Sequence, residues 1–119
     1  MATFELWDKT YKYLKGKGLD VYPPSTKQGE CKKDYIVLKG DVTSQALNFS
    51  SEYHYYLILN YSKTYTGVLK LVDKVKHYMN EYAPNMMPTG IENPPYWDDS
   101  VKAFMVSIQY RANARNNKL

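Results

Sequence analysis

The chain has few of the residues that form disulfides or structural metal sites. Its 119 residues include one cysteine, Cys31, and two histidines. A single cysteine excludes an intramolecular disulfide, and a structural zinc site needs four Cys or His ligands in closely spaced pairs. Stability must therefore come from one hydrophobic core, which a single domain of this length can supply. The cysteine content also predicts a reducing, cytoplasmic environment.

The sequence also lacks long apolar runs. The longest strongly apolar stretch, residues 55–59, has five residues, whereas a membrane-spanning helix needs about 20. The N-terminal residues do not form the basic and then apolar regions of a signal peptide. We therefore expect a soluble protein with no membrane partner.

The aromatic content is dominated by one residue type. Tyrosine occurs 13 times, against three phenylalanines and two tryptophans. A tyrosine side chain combines an apolar ring with a polar tip, which suits surfaces that are only partly buried. The composition therefore predicts much half-buried surface.

Apolar periodicity predicts two helices. The first begins at the N-cap Thr3 and ends at about Lys15, before Gly16 and Gly18,. The second begins after Thr64 or Thr66 and ends at about Tyr82,. The apolar stripe of the first helix consists of Phe4, Trp7, Tyr11 and Leu14, and that of the second of Val68, Leu71, Val72, Val75, Tyr78, Met79 and Tyr82,.

Four strands are predicted, at residues 20–22, 35–38, 53–61 and 101–111,. The third has apolar residues on both faces, so it should lie in the centre of a sheet. The order α-β-β-β-α-β predicts an α+β domain over residues 1–111, with a mostly antiparallel or mixed sheet of about four strands and two helices. Residues 112–119 are predicted to form a flexible basic tail. The direction of the last strand is left open.

Three long connections remain, at residues 23–34, 40–52 and 83–100. Connections beyond about 12 to 15 residues in a small domain are often functional. The third contains four prolines and the large side chains Met86, Met87, Tyr96 and Trp97. Two interpretations carry equal weight: this loop forms an interface with another protein, or it folds back over its own sheet.

Catalytic patterns are absent from the sequence. No known nucleophile motif surrounds Cys31, and His54 lies within a predicted strand. Glu92, Asp98 and Asp99 form the one acidic cluster, but adjacent carboxylates at a loop end point in different directions and are expected to cap the following strand. We therefore predict no enzyme activity, no cofactor and no metal site.

The charge pattern keeps a small basic nucleic-acid-binding module as the alternative function. Residues 9–39 carry eight lysines against three acidic residues, and tyrosines interleave with them,. However, only two of the 16 basic residues are arginine, and residues 40–100 have a net charge of −3. Patterns of the common RNA-binding and zinc-finger modules are also missing. Direct nucleic-acid binding is therefore not expected.

Two blocks of the chain resemble a known family. Pro23 to Cys31 is followed by Tyr35 to Asp41, and Met87 to Gly90 is followed by Pro95 to Arg111. These blocks resemble the tail terminator and tail-completion proteins of siphophages of Gram-positive bacteria and related prophages, which include head-tail joining and minor capsid-like proteins. The order of helices and strands is also similar to that family.

The resemblance implies a non-enzymatic phage virion assembly protein without a cofactor. Such a protein forms a homo-oligomeric ring, expected to be hexameric, which caps the tail tube protein and docks onto the head-connector protein. It is expected in the virion, and in the host cytoplasm during assembly. The candidate interface with other subunits or partners comprises Met86, Met87, Tyr96, Trp97, Lys32 and Lys33.

Overall fold

Two helices lie on one face of a mixed sheet. The computed structural model of the protein describes residues 3–27, 29–45, 52–83 and 86–113. The helices are α1 (Thr3–Gly16) and α2 (Tyr65–Tyr82), and the strands are β1 (Val21–Tyr22), β2 (Tyr35–Gln45), β3 (Glu52–Ser62), β4 (Met87–Glu92), β5 (Tyr96–Asp98) and β6 (Ala103–Asn113). The predicted α+β class is confirmed, although the described residues form six strands rather than about four.

The strands lie side by side in the order β1-β2-β3-β6-β4, and β5 pairs with β6. β1 is parallel to β2, while the other pairs are antiparallel. The last strand is therefore antiparallel to β3, which is central as predicted. α1 packs mainly on β1 and β2, and α2 packs on β3 and β6.

The predicted boundaries fail mainly in the long connections. The segment predicted as a loop at 83–100 contains β4 and β5, and β2 continues to Gln45. The first of these errors arises because the prolines of this segment suggested a loop. Pro88 nevertheless lies within β4, since proline is tolerated where a strand forms the edge of a sheet,. β6 extends two residues beyond the predicted boundary, and Ala112 is buried. Residues 46–51 and 114–119 lie outside the described residues.

The buried face of α1 also differs from the prediction. Leu6, Thr10 and Leu14 are fully buried, whereas Trp7 and Tyr11 are only partly buried. The side chain of Phe4 lies outside the part that the structure describes. Thr10 is tolerated in the core because its hydroxyl donates to the Leu6 carbonyl at 3.0 Å and lies 3.1 Å from the Tyr82 hydroxyl,. The helix is therefore rotated towards α2 relative to the predicted stripe.

α2 begins at a well-formed cap. Thr64 is the N-cap, and its hydroxyl accepts a hydrogen bond from the Gly67 amide at 2.9 Å,. This settles the choice between the two predicted caps. The buried residues of α2 include all of its predicted stripe except Tyr78, which is partly buried. Neither described helix is long and apolar enough to cross a lipid bilayer.

The other face of the sheet is covered at one end by a loop. Cys31, Tyr35, Val37 and Ala103 form a second, smaller core there. The Cys31 amide donates to the Val101 carbonyl at 2.7 Å, which ties the segment before β2 to the start of β6. Each face of the sheet therefore has its own core, and the helices cover only one of them.

Candidate interaction surface

Cys31 and His54, which were considered for catalysis, lie on different faces of the sheet. Cys31 belongs to the core on the face opposite the helices. His54 lies on the other face, because it is two and four residues from Tyr56 and Ile58, which face the helices,. Burial raises the pKa of the Cys31 thiol, which keeps it protonated and unreactive,. Over the described residues, no group of three or more His, Cys, Asp and Glu side chains is placed to hold a metal ion.

Each carboxylate of the acidic cluster has its own partner. Asp98 accepts hydrogen bonds from the Ser100 amide at 3.0 Å and from its hydroxyl at 2.6 Å, so it caps the turn before β6 as predicted,. Asp99 pairs with Lys102 at 2.8 Å, and hydrogen bonding from that lysine lowers the pKa of the Asp99 carboxyl,. Glu92 pairs with Lys76 at 2.8 Å, at a different place. These carboxylates do not converge on one point.

The exposed apolar side chains gather at one edge of the sheet. Among the described residues, every large apolar side chain that is strongly exposed lies on β4, on β5 or on the neighbouring stripe of α2. We call this surface the apolar edge, and its members are Tyr65, Leu69, Met87, Ile91, Tyr96 and Trp97. Ile91 is 62% exposed and Tyr65 is 51% exposed. Clustered exposure of this kind marks an interaction site, unlike apolar residues scattered singly over a surface.

The apolar edge is held in place by β6. β4 and β5 both pair with β6, and Asn93 fills the gap between them. Its side-chain oxygen accepts hydrogen bonds from the Ser107 amide at 2.7 Å and from the Ser107 hydroxyl. The two interpretations of this segment are therefore compatible, because it joins its own sheet and still presents apolar side chains outward.

An aromatic contact connects the strand part of the apolar edge to α2. Phe104 of β6 lies between Trp97 and Tyr65, with ring centroids 5.2 Å from Trp97 and 5.8 Å from Tyr65, both in edge-to-face geometry,. Leu69 follows Tyr65 by one helical turn and lies on the same side of α2,. Trp97 therefore joins Tyr65 and Leu69 in one surface on the helix side of the sheet, whereas Met87 and Tyr96 face the opposite side.

A groove runs along this surface between α2 and β4. It consists of two adjoining cavities of about 400 and 340 Å³ that share Gly90 and Glu92. The first is lined mainly by apolar side chains of β4 and β6, including Ile91, Ile108 and Tyr110. The Lys76 to Glu92 ion pair joins the helix to β4 beside them. The first cavity is thus mainly apolar, and the Lys76 to Glu92 ion pair lies at its border.

The predicted interface residues are only partly brought together. Met87, Tyr96 and Trp97 belong to the apolar edge, but the prediction is wrong for Met86, which is completely buried. Met86 points inward because neighbouring residues of an extended chain face opposite sides, and its sulfur lies 3.9 Å from the Thr10 hydroxyl,. Lys32 and Lys33 are exposed elsewhere, and Lys33 lies 3.6 Å from Asp20, which precedes β1.

Three members of the apolar edge were not predicted from the sequence. Ile91 was hidden in a segment predicted as a loop, and its exposure follows from the pairing of β4. Tyr65 and Leu69 are spaced four residues apart on the otherwise polar face of α2, and that spacing was a usable signal of a second apolar stripe.

Within the described part of the basic segment, Tyr35 does not offer an open ring face for stacking. Tyr35 and Tyr61 stack on each other with centroids 4.8 Å apart, and Tyr35 is buried. Burial raises the pKa of Tyr35 to about 12. Lys27 lies over the Tyr35 ring at 5.3 Å from its centroid. These rings are already in contact with one another, so they are poorly placed to stack on bases.

Comparison with known proteins adds no assignment. No protein-family model matches the chain, and no curated protein is similar to it.

Proposed function

We propose that the protein is a non-enzymatic phage virion assembly protein, a ring-forming tail terminator or head-tail joining component. In this role it caps the tail tube and docks onto the head connector. The observation that carries the proposal is the apolar edge, a set of exposed large side chains gathered on β4 and β5 and on the adjoining stripe of α2 in a small α+β protomer.

The family resemblance supports the proposal at the same place. The block from Pro95 to Arg111 comprises β5 and most of β6, the two strands that hold Trp97 and Tyr96 in position. The block from Met87 to Gly90 lies in β4, along the groove. The second of the two resembling blocks thus contributes Met87, Tyr96 and Trp97 to the apolar edge, whereas the first block lies near β1 and in β2.

The geometry of the edge also suits a ring. In a cyclic ring, one surface patch of each copy meets a different patch of the next copy, so each protomer needs an interface at both ends. The apolar edge lies at the β4 end of the sheet, and the β1 end is formed by different elements. Contacts at both ends can therefore link the copies in one direction.

The decisive experiment is genetic. An amber mutation is placed in this gene in a phage that carries it, and the particles made with and without a suppressor are viewed by electron microscopy. The proposal predicts filled heads separated from tails, or tails of uncontrolled length, only without suppression. Ordinary virions in the absence of the protein would refute the proposed function.

A further inference from the structure

The helix layer leaves the β4 and β5 edge of the sheet uncovered. Neighbouring strands are about 4.8 Å apart and packed helices about 10 Å apart, so each helix covers roughly two strands. α1 covers β1 and β2, and α2 covers β3 and β6. Within the described residues no helix lies over β4, and the groove beside α2 occupies that position. The groove is therefore the place for a third helix.

The groove has the length and the lining that a helix requires. Residues of α2 from Leu69 to Asn80 line it, which corresponds to about 16 Å or three helical turns. Its floor is formed by Ile108 and Tyr110 of β6, with Ile91 beside them on β4. A helix that presents two or three large side chains on one face can bury them there.

The opposite end of the layer presents a helix face of this kind. Trp7 and Tyr11, one turn apart on α1, are stacked with centroids 5.0 Å apart, and both are only partly buried. Lys15 follows one turn later and donates to the Tyr11 hydroxyl at 3.1 Å. The Trp7 indole donates to the Leu38 carbonyl of β2 at 2.8 Å. We call Trp7, Tyr11 and Lys15 the α1 flank.

We propose that the groove of one copy receives the α1 flank of a second copy. This inference rests on the proposed function in one respect, namely that copies of the chain assemble. The contact continues the helix layer across the subunit boundary, so that β4 of one copy is covered by α1 of the next. Because the two surfaces lie at opposite ends of the sheet, each copy keeps one of them free for a further neighbour.

The charges of the two ends favour a second copy as the occupant. Residues 5–39, which comprise most of α1, β1 and the start of β2, contain eight lysines and five acidic residues, a net charge of +3. The two walls of the groove and the neighbouring edge, residues 65–82 and 86–102, contain five acidic residues and four lysines, a net charge of −1. Asp73, one turn after Leu69 on α2, adds a carboxylate near the groove for Lys15 of the incoming flank,.

The test compares four lysine substitutions in the full chain. Ile91→Lys puts a cation into the groove, and Tyr11→Lys puts one onto the α1 flank. Thr66→Lys is the control for the first, because Thr66 is exposed on α2 but lines neither cavity of the groove. Gly16→Lys is the control for the second, because a side chain there meets nothing within 4 Å. Circular dichroism melts verify that all four variants fold.

Self-association is measured by light scattering across concentration. We expect Ile91→Lys and Tyr11→Lys each to weaken association by about tenfold or more, and each control to remain within about twofold of the wild type. An equimolar mixture of Ile91→Lys and Tyr11→Lys should give dimers that do not grow further, since one intact flank meets one intact groove. A contact between two identical patches would not be restored by mixing.

The outcomes separate this inference from the proposed function. Undiminished assembly of both site variants, or loss of assembly in a control to the same extent, would overturn the inference and leave the proposed function standing. A wild-type chain that stays monomeric up to about 1 mM would also overturn the inference. The proposed function is judged independently by the amber mutant.

Discussion

Asn93 offers a direct test of how the apolar edge is attached to the sheet. In Asn93→Ala, the Ser107 amide loses its acceptor at 2.7 Å, and the Ser107 hydroxyl loses the same oxygen. The Asn93 amide also donates to the Met105 carbonyl at 3.3 Å, and this contact is lost too. β4 and β5 then remain attached through their ladders with β6, the hydrogen bond from Thr89 to Gln109 and the Lys76 to Glu92 ion pair.

The magnitude follows from these groups. An unsatisfied, partly buried backbone amide costs about 1–3 kcal/mol, and the longer bond to Met105 adds about 0.5 kcal/mol. We therefore expect Asn93→Ala to lower the free energy of unfolding by about 2 kcal/mol, which corresponds to roughly 8 °C in Tm for a chain of this size. Asn93→Asp is the comparison variant, because it retains an acceptor for Ser107 and loses only the donor to the Pro94 and Met105 carbonyls, so it should cost less than Asn93→Ala,.

Two measurements check the reasoning. Urea unfolding at a concentration below assembly gives the free energy without a contribution from association. Hydrogen exchange at the Ser107 amide should become about 30-fold faster in Asn93→Ala if the edge opens locally. An alanine variant within about 0.5 kcal/mol of the wild type, with unchanged exchange at Ser107, would refute the argument that Asn93 anchors the edge.

Three further predictions concern other parts of the molecule. Trp97→Ala should cost the monomer only about 1 kcal/mol, since Trp97 is 46% exposed, but weaken assembly by about tenfold or more in light scattering; equal losses would contradict the interface role,. Cys31 should react with a thiol reagent roughly 100-fold more slowly in native protein than in denaturant, because its side chain is completely buried and burial also raises its pKa; equal rates would disprove this protection,. Gly67→Ala should destabilise by about 1–2 kcal/mol in urea unfolding, because its methyl group would lie 2.6 Å from the Thr64 hydroxyl; an unchanged midpoint would show that the cap adapts,.

The elements that follow from local patterns were predictable. The alternation along β3 and the apolar stripe of α2 depend on the period of each element, so they identify a central strand and an amphipathic helix without knowledge of the partners. The cap at Thr64 is local in the same sense,. These features, with the element order, were sufficient for the α+β class.

The candidate site was predictable only in part. Met87, Tyr96 and Trp97 were identified because large apolar residues in a long proline-rich segment are unusual,. Met86 was assigned outward, although it lies in the core, since the faces of a strand are known only when its register is known,. Ile91 could not be placed without the pairing of β4 with β6.

The sequence by itself determined the periodic elements, the α+β class and the lack of a recognisable catalytic pattern. The tertiary structure decided that β4 and β5 close one side of the sheet, that α1 turns Leu6 and Thr10 inward, and that the exposed apolar side chains gather at one edge. The physical reason is the range of the interactions. Periodicity reflects neighbours within a few residues, whereas edge pairing and the coverage of strands by helices depend on residues far apart in the chain.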